Sequence, residues 1–135
     1  MDRYHDLDAV LARVWDELEA AARDPGHPFR TITFGTASPD GGPHLRTVVL
    51  RVADRERRVL SFHSDRQAQK VEDIRTDARV AWHGWRPDTK EQVRLRGSAS
   101  VHLNDDVADA MWANQDPKSL AVHARHTASG TSVEA

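Results

Sequence analysis

The strongest constraint on the fold is a run of strict alternation between residues 92 and 102. Polar residues occupy the even-numbered positions of this run, and apolar or small residues occupy the odd-numbered ones. The odd-numbered set is Val93, Leu95, Gly97, Ala99 and Val101. Because successive side chains of a β-strand point to opposite faces, the pattern predicts a strand with one face in the core. The other face is then either in solvent or against a ligand.

Four further segments have the composition of strands, and turn-forming or polar residues separate them. They are Phe29–Ala37, His44–Val52, Arg58–His63 and Val80–Trp85. The cluster Ser-Pro-Asp-Gly-Gly-Pro between the first two is a strong turn signal, so the second strand returns antiparallel to the first. Five strands joined mostly by hairpins predict a mainly β (α+β) fold, a small antiparallel barrel with peripheral helices rather than a doubly wound sheet.

Helical spacing marks the beginning of the chain. Asp6 can cap a helix whose apolar positions 7, 11, 14 and 18 fall on one face, and Asp24-Pro25-Gly26 ends it. We therefore expect an N-terminal helix within residues 1–25, in a single domain that covers residues 1–135.

A second helix is expected directly after the third strand. Ser64 followed by Gln67 fits a capping box, in which the serine side chain accepts from the first turn of the helix. Asn104 and the pair Asp116-Pro117 are start signals for short helices further along the chain. Residues 127–135 are mostly small and polar, which predicts a loose tail.

The strand at residues 80–85 carries two tryptophans, Trp82 and Trp85. They stand three residues apart, so a regular strand points them to opposite faces. One of them is therefore expected to pack inward and the other to face a groove or an interface.

Composition excludes several classes of function. The chain has no cysteine, which rules out disulfides, thiolate metal sites and thiol chemistry. Among the eight histidines only His123 and His126 share a local face, with no third ligand nearby, so no metal site is expected. No apolar run is long enough to span a membrane and the amino terminus is acidic. We therefore expect neither a membrane anchor nor a signal peptide, and a cytoplasmic protein.

The charge distribution favours a small anionic ligand. Residues 1–25 hold seven acidic residues against three arginines, and residues 104–135 hold five acidic residues against two basic ones. Residues 44–70 show the reverse, with seven Lys and Arg against three acidic residues. A local positive field in a nearly neutral protein suits a small phosphorylated ligand better than nucleic acid, which meets a broad basic face. The alternative is a solvated strand edge on which basic residues discourage aggregation.

Three stretches set cationic or amide side chains beside strand-like apolar runs: RTVVLR at residues 46–51, FHSDRQAQK at 62–70 and EQVRLRG at 91–97. A phosphate group needs several converging donors. Arg46 offers a planar fork, Lys70 a point charge, and the helix expected after Ser64 offers backbone N–H groups.

The spacing of the two arginines in the first stretch disfavours their binding one ligand together. Arg46 and Arg51 are five residues apart, so a regular strand points them to opposite faces. They hold one ligand together only if a bulge intervenes, or if the ligand crosses a strand edge or a subunit boundary. Otherwise they are ordinary surface arginines.

In order and spacing, these three stretches resemble the pyridoxamine 5'-phosphate oxidase-like flavoproteins. The resemblance covers residues 27–101 best. It implies a split β-barrel that binds FMN, a homodimer with its sites between subunits, and an FMN-dependent oxidoreductase acting on a small molecule. It identifies no catalytic residue, substrate or electron donor, and neither nucleic acid nor a membrane is an expected partner.

The same resemblance implies which residues bind FMN. They are Arg46, Thr47, Val48, Val49, Arg51, His63, Ser64, Gln69, Lys70 and Gln92. Arg46 and Lys70 would hold the phosphate, the backbone after Arg46 would line the isoalloxazine edge, and Gln92 would reach the ring. The family usually has an arginine and a serine in the turn before the lysine. This chain has Gln67, Ala68 and Gln69 there, with Arg66 as the nearest substitute.

On the substrate side the chain departs from the family's pattern. Members that oxidise pyridoxamine phosphate carry a tyrosine, an arginine four residues later, then proline and serine, to hold the substrate's phosphate. The matching stretch here begins with Trp112, has Asp116 in place of the arginine before Pro117, and has Ser119 one residue out of register. Because a carboxylate repels a phosphate, we expect no useful oxidation of vitamin B6 phosphates.

Other functions stay open on the same scaffold. One is a flavin-binding or haem-handling module that catalyses no turnover of its own. A second is a deazaflavin-dependent reductase, and a third is a structural or interaction protein that only reuses the barrel. The fold alone does not separate these functions.

Overall fold

The structure is a computed structural model, and it describes residues 6–65, 67–102 and 119–134. These residues form two helices and seven strands. The helices are α1 (Leu7–Arg23) and α2 (Gln69–Thr76). The strands are β1 (Thr31–Ala37), β2 (Pro43–Val49), β3 (Val52–Asp54), β4 (Val59–Asp65), β5 (Arg79–Arg86), β6 (Glu91–His102) and β7 (Ser119–Glu134).

All seven strands lie in one antiparallel sheet with the order β2-β1-β5-β6-β7-β4-β3. The two edge strands, β2 and β3, are separated in the chain only by Leu50 and Arg51. The sheet must therefore curl until its edges approach one another, which is the arrangement of a split barrel. The N–H groups of these two residues bond to Arg30 and Ser61, at 2.7 and 2.9 Å. The predicted antiparallel barrel with peripheral helices is confirmed.

The alternating run on β6 positions the core as its sequence predicts. Val93, Leu95 and Ala99 are buried. On the neighbouring strand β5, Trp82 is 1% exposed, whereas Trp85 is 48% exposed on the opposite face. The indole of Trp82 packs edge-to-face against the rings of Phe34 and Phe62, with centroids 4.7 and 5.5 Å apart.

Helix α1 begins where the sequence predicts. The Asp6 carboxylate accepts hydrogen bonds from the N–H groups of Asp8 and Ala9, at 2.9 and 3.2 Å. The face that carries Val14, Trp15, Leu18 and Ala21 is buried. Arg13 on α1 also forms a two-pronged ion pair with Glu91 of β6, which is 3% exposed. Apolar burial and a charge pair therefore both hold α1 against the barrel.

Most predicted strand ends differ from the structure by one or two residues, and two differences are larger. The strand expected over His44–Val52 is divided into β2 and β3. The second helix does not begin at Ser64, because Ser64 belongs to β4 and pairs with β7. Asp65 makes the turn instead, since its carboxylate accepts the N–H of Gln67 at 2.9 Å. Helix α2 then starts after Ala68, with no side-chain cap.

Residues 127–134, expected as part of a loose tail, continue β7. Strand β7 lies between β6 and β4 in the sheet, and its residues 131–134 pair with residues 92–95 of β6, so strand pairing overrides a composition typical of loops. The helix signals at Asn104 and Asp116-Pro117, and also Arg66 and Trp112, lie outside the described residues. Among the residues that the structure describes, no helix is long and apolar enough to cross a membrane, and no three His, Asp or Glu side chains are grouped to hold a metal ion.

Candidate functional site

A buried carboxylate, Asp73, lies at the centre of a polar cluster between α2 and the first hairpin of the sheet. Its side chain is fully buried. Oδ2 accepts a hydrogen bond from the Thr36 hydroxyl at 2.7 Å and contacts Nδ1 of His44 at 2.8 Å. Oδ1 accepts from the Gln69 side-chain amide at 3.0 Å. The cluster therefore joins β1, β2 and α2 through a single side chain.

The surroundings of Asp73 keep it ionised. Burial alone would raise the pKa of this carboxyl, but hydrogen bonds from Gln69, Thr36 and His44 outweigh burial and lower the pKa to about 2. At neutral pH the cluster therefore contains one fixed, buried negative charge. Such a charge is tolerated only where donors surround it.

Arg46 lies beside this carboxylate on the inner face of β2. It is opposite Phe34 in the register of β1 and β2, so both side chains point to the same side of the sheet. The guanidinium donates to the Thr36 hydroxyl at 2.8 Å and to the Phe34 carbonyl at 3.2 Å, and lies 3.5 Å from Oδ2 of Asp73. Burial lowers the pKa of Arg46, and Asp73 opposes that shift. A guanidinium nevertheless stays charged in proteins.

Lys70 brings a second positive charge to the same place. It precedes Asp73 by three residues, so the two side chains lie on adjoining positions of α2. Burial and then the charge of Arg46 lower the pKa of Lys70, while Asp65 opposes them. Two partly desolvated cations that repel each other are stabilised by an anion placed between them.

The start of α2 adds backbone donors to the two cations. Its first turn has no side-chain cap, since Ala68 is the residue before the helix. The Val71 N–H bonds to the Ala68 carbonyl at 3.0 Å, but the first N–H groups of a helix have no helical carbonyl to bond, and the helix dipole favours negative charge at this end. An arginine, a lysine and an uncapped helix start together form a donor set that fits a phosphate.

Of the residues that the resemblance implies for the flavin ring, all but Val48 have their side chains on the other face of the sheet. The inner face carries Arg46 and Val48, in line with Phe34. Thr47 and Val49 point outward. So does Gln92, because the pairing of β1, β5 and β6 is regular and puts it on the face of Trp85.

The structure thus brings Arg46, Gln69 and Lys70 together and separates Thr47, Val49 and Gln92 from them. Because β2 is an edge strand, a ligand can reach both faces by passing around that edge. The Gln92 side-chain oxygen lies 2.9 Å from Nε2 of His83, which fixes its orientation on the outer face.

The three remaining residues that the resemblance implies lie on β4 or directly before β3. Arg51 is exposed and lies in the two-residue break between β2 and β3. Because it is outside both strands, the alternation of a regular strand does not determine which way its side chain points. The buried Ser64 hydroxyl donates to the Asp65 carbonyl at 3.1 Å. His63 lies on the opposite face of β4 from Ser64, because the two are adjacent in a strand.

Comparison with known proteins agrees with this geometry. A sequence profile described as pyridoxamine 5'-phosphate oxidase, FMN-binding domain, matches residues 12–103. The chain belongs to this family. The match covers most of α1, all of α2 and β1 to β6, and it therefore includes all the residues of the polar cluster.

The relatives show that the chain is a divergent member of the oxidase family. It is 31% identical over 109 residues to the pyridoxine/pyridoxamine 5'-phosphate oxidase of Anaeromyxobacter dehalogenans, an alignment covering 81% of this chain and 54% of the relative. The chain spans about half the length of the curated relatives it matches.

Solved structures share the fold. A pyridoxamine 5'-phosphate oxidase-related, FMN-binding protein from Nostoc punctiforme has a TM-score of 0.71 at 18% identity, covering 85% of this chain and 79% of that one. An F420 reductase has a TM-score of 0.58 at 17% identity, with coverages of 77% and 88%.

Sequence reasoning missed three residues of the cluster: Thr36, His44 and Asp73. The position of His44 was open to inference, because it lies two residues before Arg46 and so faces the same side of β2. Asp73 adjoins Ile74 on the apolar face of α2, but sequence alone does not distinguish a buried carboxylate there from a solvated one. Thr36 carried no signal beyond its strand propensity.

Proposed function

We propose that this chain binds FMN, with its phosphate held by Arg46, Lys70 and the start of α2, and acts as an FMN-dependent oxidoreductase on a small molecule. The observation that carries the proposal is the convergence of two partly buried cations on an uncapped helix start, organised by Asp73. The family match independently supports FMN as the ligand.

The chain's own residues would bind and orient the cofactor. FMN supplies the redox chemistry through its isoalloxazine ring. The inner cluster would anchor the phosphate, and the edge strand β2 would place Thr47 and Val49 along the ring. Gln92, held by His83 at 2.9 Å, would offer its amide to the ring's polar edge.

A homodimer is part of this proposal, because the outer face of the sheet is incompletely covered. Leu45 is 73% exposed and Trp85 is 48% exposed, and the register places both on that face. A shallow groove of about 420 Å³ lies beside Leu45, and its lining includes Leu45, Ala81 and Arg96. A second copy of the chain would bury these apolar side chains and cover the face that carries Gln92.

The test is a titration of the apoprotein with FMN and with riboflavin, which lacks the phosphate, followed by flavin fluorescence. We expect FMN to bind at least about tenfold more tightly than riboflavin, because one or more charge-assisted contacts are lost without the phosphate. Equal affinity for both flavins would refute the phosphate site. Anaerobic NADH or NADPH should then bleach the bound flavin, and saturating FMN binding that neither donor bleaches would favour a passive flavin binder.

A second candidate is a deazaflavin-dependent reductase, which the fold shared with an F420 reductase favours. That cofactor would replace FMN at the same site around the edge strand β2. Failure of FMN to bind, together with binding of the deazaflavin, would favour this candidate.

A further inference from the structure

Among the residues that the structure describes, the inner cluster carries less positive charge than a bound phosphate monoester carries negative charge. Asp73 cancels one of the two charges of Arg46 and Lys70, which leaves a net charge of about one. A phosphate monoester carries roughly 1.5 to 2 negative charges near neutral pH, because its second pKa is about 6. The amide of Gln69, which the resemblance assigns to the cofactor, is already bonded to Asp73 at 3.0 Å.

His44, next to Arg46 and Asp73, can supply a third positive charge to this cluster. It lies two residues before Arg46 on the same face of β2, so the two side chains are neighbours. Its Nδ1 contacts the buried Oδ2 of Asp73 at 2.8 Å, while 37% of its side chain is exposed. Because Nδ1 faces the buried carboxylate, the Nε2 edge is the part of the ring that a ligand can reach.

We propose that His44 is a third ligand of the flavin phosphate, which it binds through Nε2–H as an imidazolium held on Asp73. The inference rests on the proposed FMN site. Asp73 would accept the Nδ1–H and the phosphate would accept the Nε2–H, so both ring nitrogens donate only in the protonated form. Binding FMN would therefore take up a proton when His44 is neutral beforehand.

The charges around His44 favour its protonated form once the phosphate is bound. Asp73 faces it from α2, and Asp40, in the turn between β1 and β2, interacts with it electrostatically. Arg46 and Lys70 oppose a further positive charge. The phosphate dianion shifts the balance, because it adds about two negative charges beside three cations.

The test is calorimetry of FMN binding at pH 7.5 in two buffers that differ in ionisation enthalpy. At this pH the phosphate is almost fully dianionic, so protons taken up belong to the protein. We expect wild-type protein to take up a fraction of a proton, and His44→Gln to take up markedly less and to bind FMN about tenfold more weakly. Riboflavin affinity should be the same in both, which also shows that the variant is folded.

Two further variants test whether the effect comes from the charge and the proton of His44. His44→Lys supplies a fixed charge, so it should keep FMN affinity above that of His44→Gln while losing the proton uptake. His102→Gln removes a histidine from β6 outside the cluster and should behave as wild type. Undiminished proton uptake in both His44 variants, or an FMN affinity of His44→Gln equal to that of wild type, would overturn the inference and leave the FMN site standing. Failure of wild type to bind FMN would overturn the proposed function itself.

Discussion

The imidazole of His44 and the carboxylate of Asp73 form a pair in which Nδ1 lies 2.8 Å from Oδ2. This contact joins β2 to α2 across 29 residues of sequence. Arg46 follows His44 by two residues and Lys70 precedes Asp73 by three, so one buried contact helps to position both cations. The site is therefore organised by Asp73, and not by the Ser64 turn that the sequence suggested.

Removing either cation should weaken FMN binding selectively. Arg46→Ala and Lys70→Ala each delete a charge-assisted contact to the phosphate, which is worth roughly 1.5–3 kcal/mol, or about tenfold or more in affinity. Fluorescence titration with FMN and riboflavin measures the effect, and Arg57→Ala, at an 80% exposed arginine, is the matched control. Equal losses for both flavins would show damage to the fold and would contradict phosphate recognition.

Asp73 should also make the protein sensitive to acid. Its pKa is about 2 in the folded state and 3.8 without perturbation, so the unfolded chain takes up the proton first as the pH falls. The stability that ionised Asp73 provides is thus fully present above about pH 5 and is lost progressively as the pH falls towards 2. Asp73→Asn should remove this dependence and should lower the unfolding free energy at pH 7 by roughly 2–4 kcal/mol.

Urea unfolding at several pH values measures the Asp73 effect. Asp77→Asn is the control, because the pKa of Asp77 is also lowered to about 2, chiefly by the Arg79 side chain, yet that pair lies at the surface. Its effect at pH 7 should be small. Similar losses in the two variants would contradict a special role for the buried carboxylate.

Features of the fold that depend on neighbouring residues could be predicted from the sequence, whereas features that depend on distant partners could not. The alternation of β6 and the Asp6 cap of α1 depend on neighbouring residues, and both stand as predicted. The break at Leu50–Arg51 and the strand β7 depend on partners far along the chain. The burial of Asp73 could not be predicted for the same reason, since its partners Thr36 and His44 come from β1 and β2.

We expect no useful oxidation of pyridoxine or pyridoxamine 5'-phosphate. Asp116 occupies the position where the resemblance requires an arginine, and productive orientation of the reacting ring depends on anchoring the substrate's remote phosphate. The assay supplies FMN-loaded protein with pyridoxine phosphate and oxygen and follows pyridoxal phosphate. Steady formation of pyridoxal phosphate over many turnovers would contradict this prediction and would show that the chain oxidises vitamin B6 phosphates.

The outer face of the sheet should mediate dimerisation. Leu45→Glu and Trp85→Arg each place a charge on the exposed apolar surface, so we expect both to shift a wild-type dimer towards monomer in sedimentation experiments. Leu7→Glu is the matched control, because Leu7 is 80% exposed on α1. A monomeric wild type, or equal dissociation by Leu7→Glu, would refute this interface.

The most direct test of the central claim is the mass of the cofactor released when the purified protein is denatured. The donor set of Arg46, Lys70 and the start of α2 predicts FMN, in a ratio that approaches one per chain after loading. Release of a deazaflavin or of haem in its place, or protein that neither carries FMN nor takes it up on loading, would contradict the account.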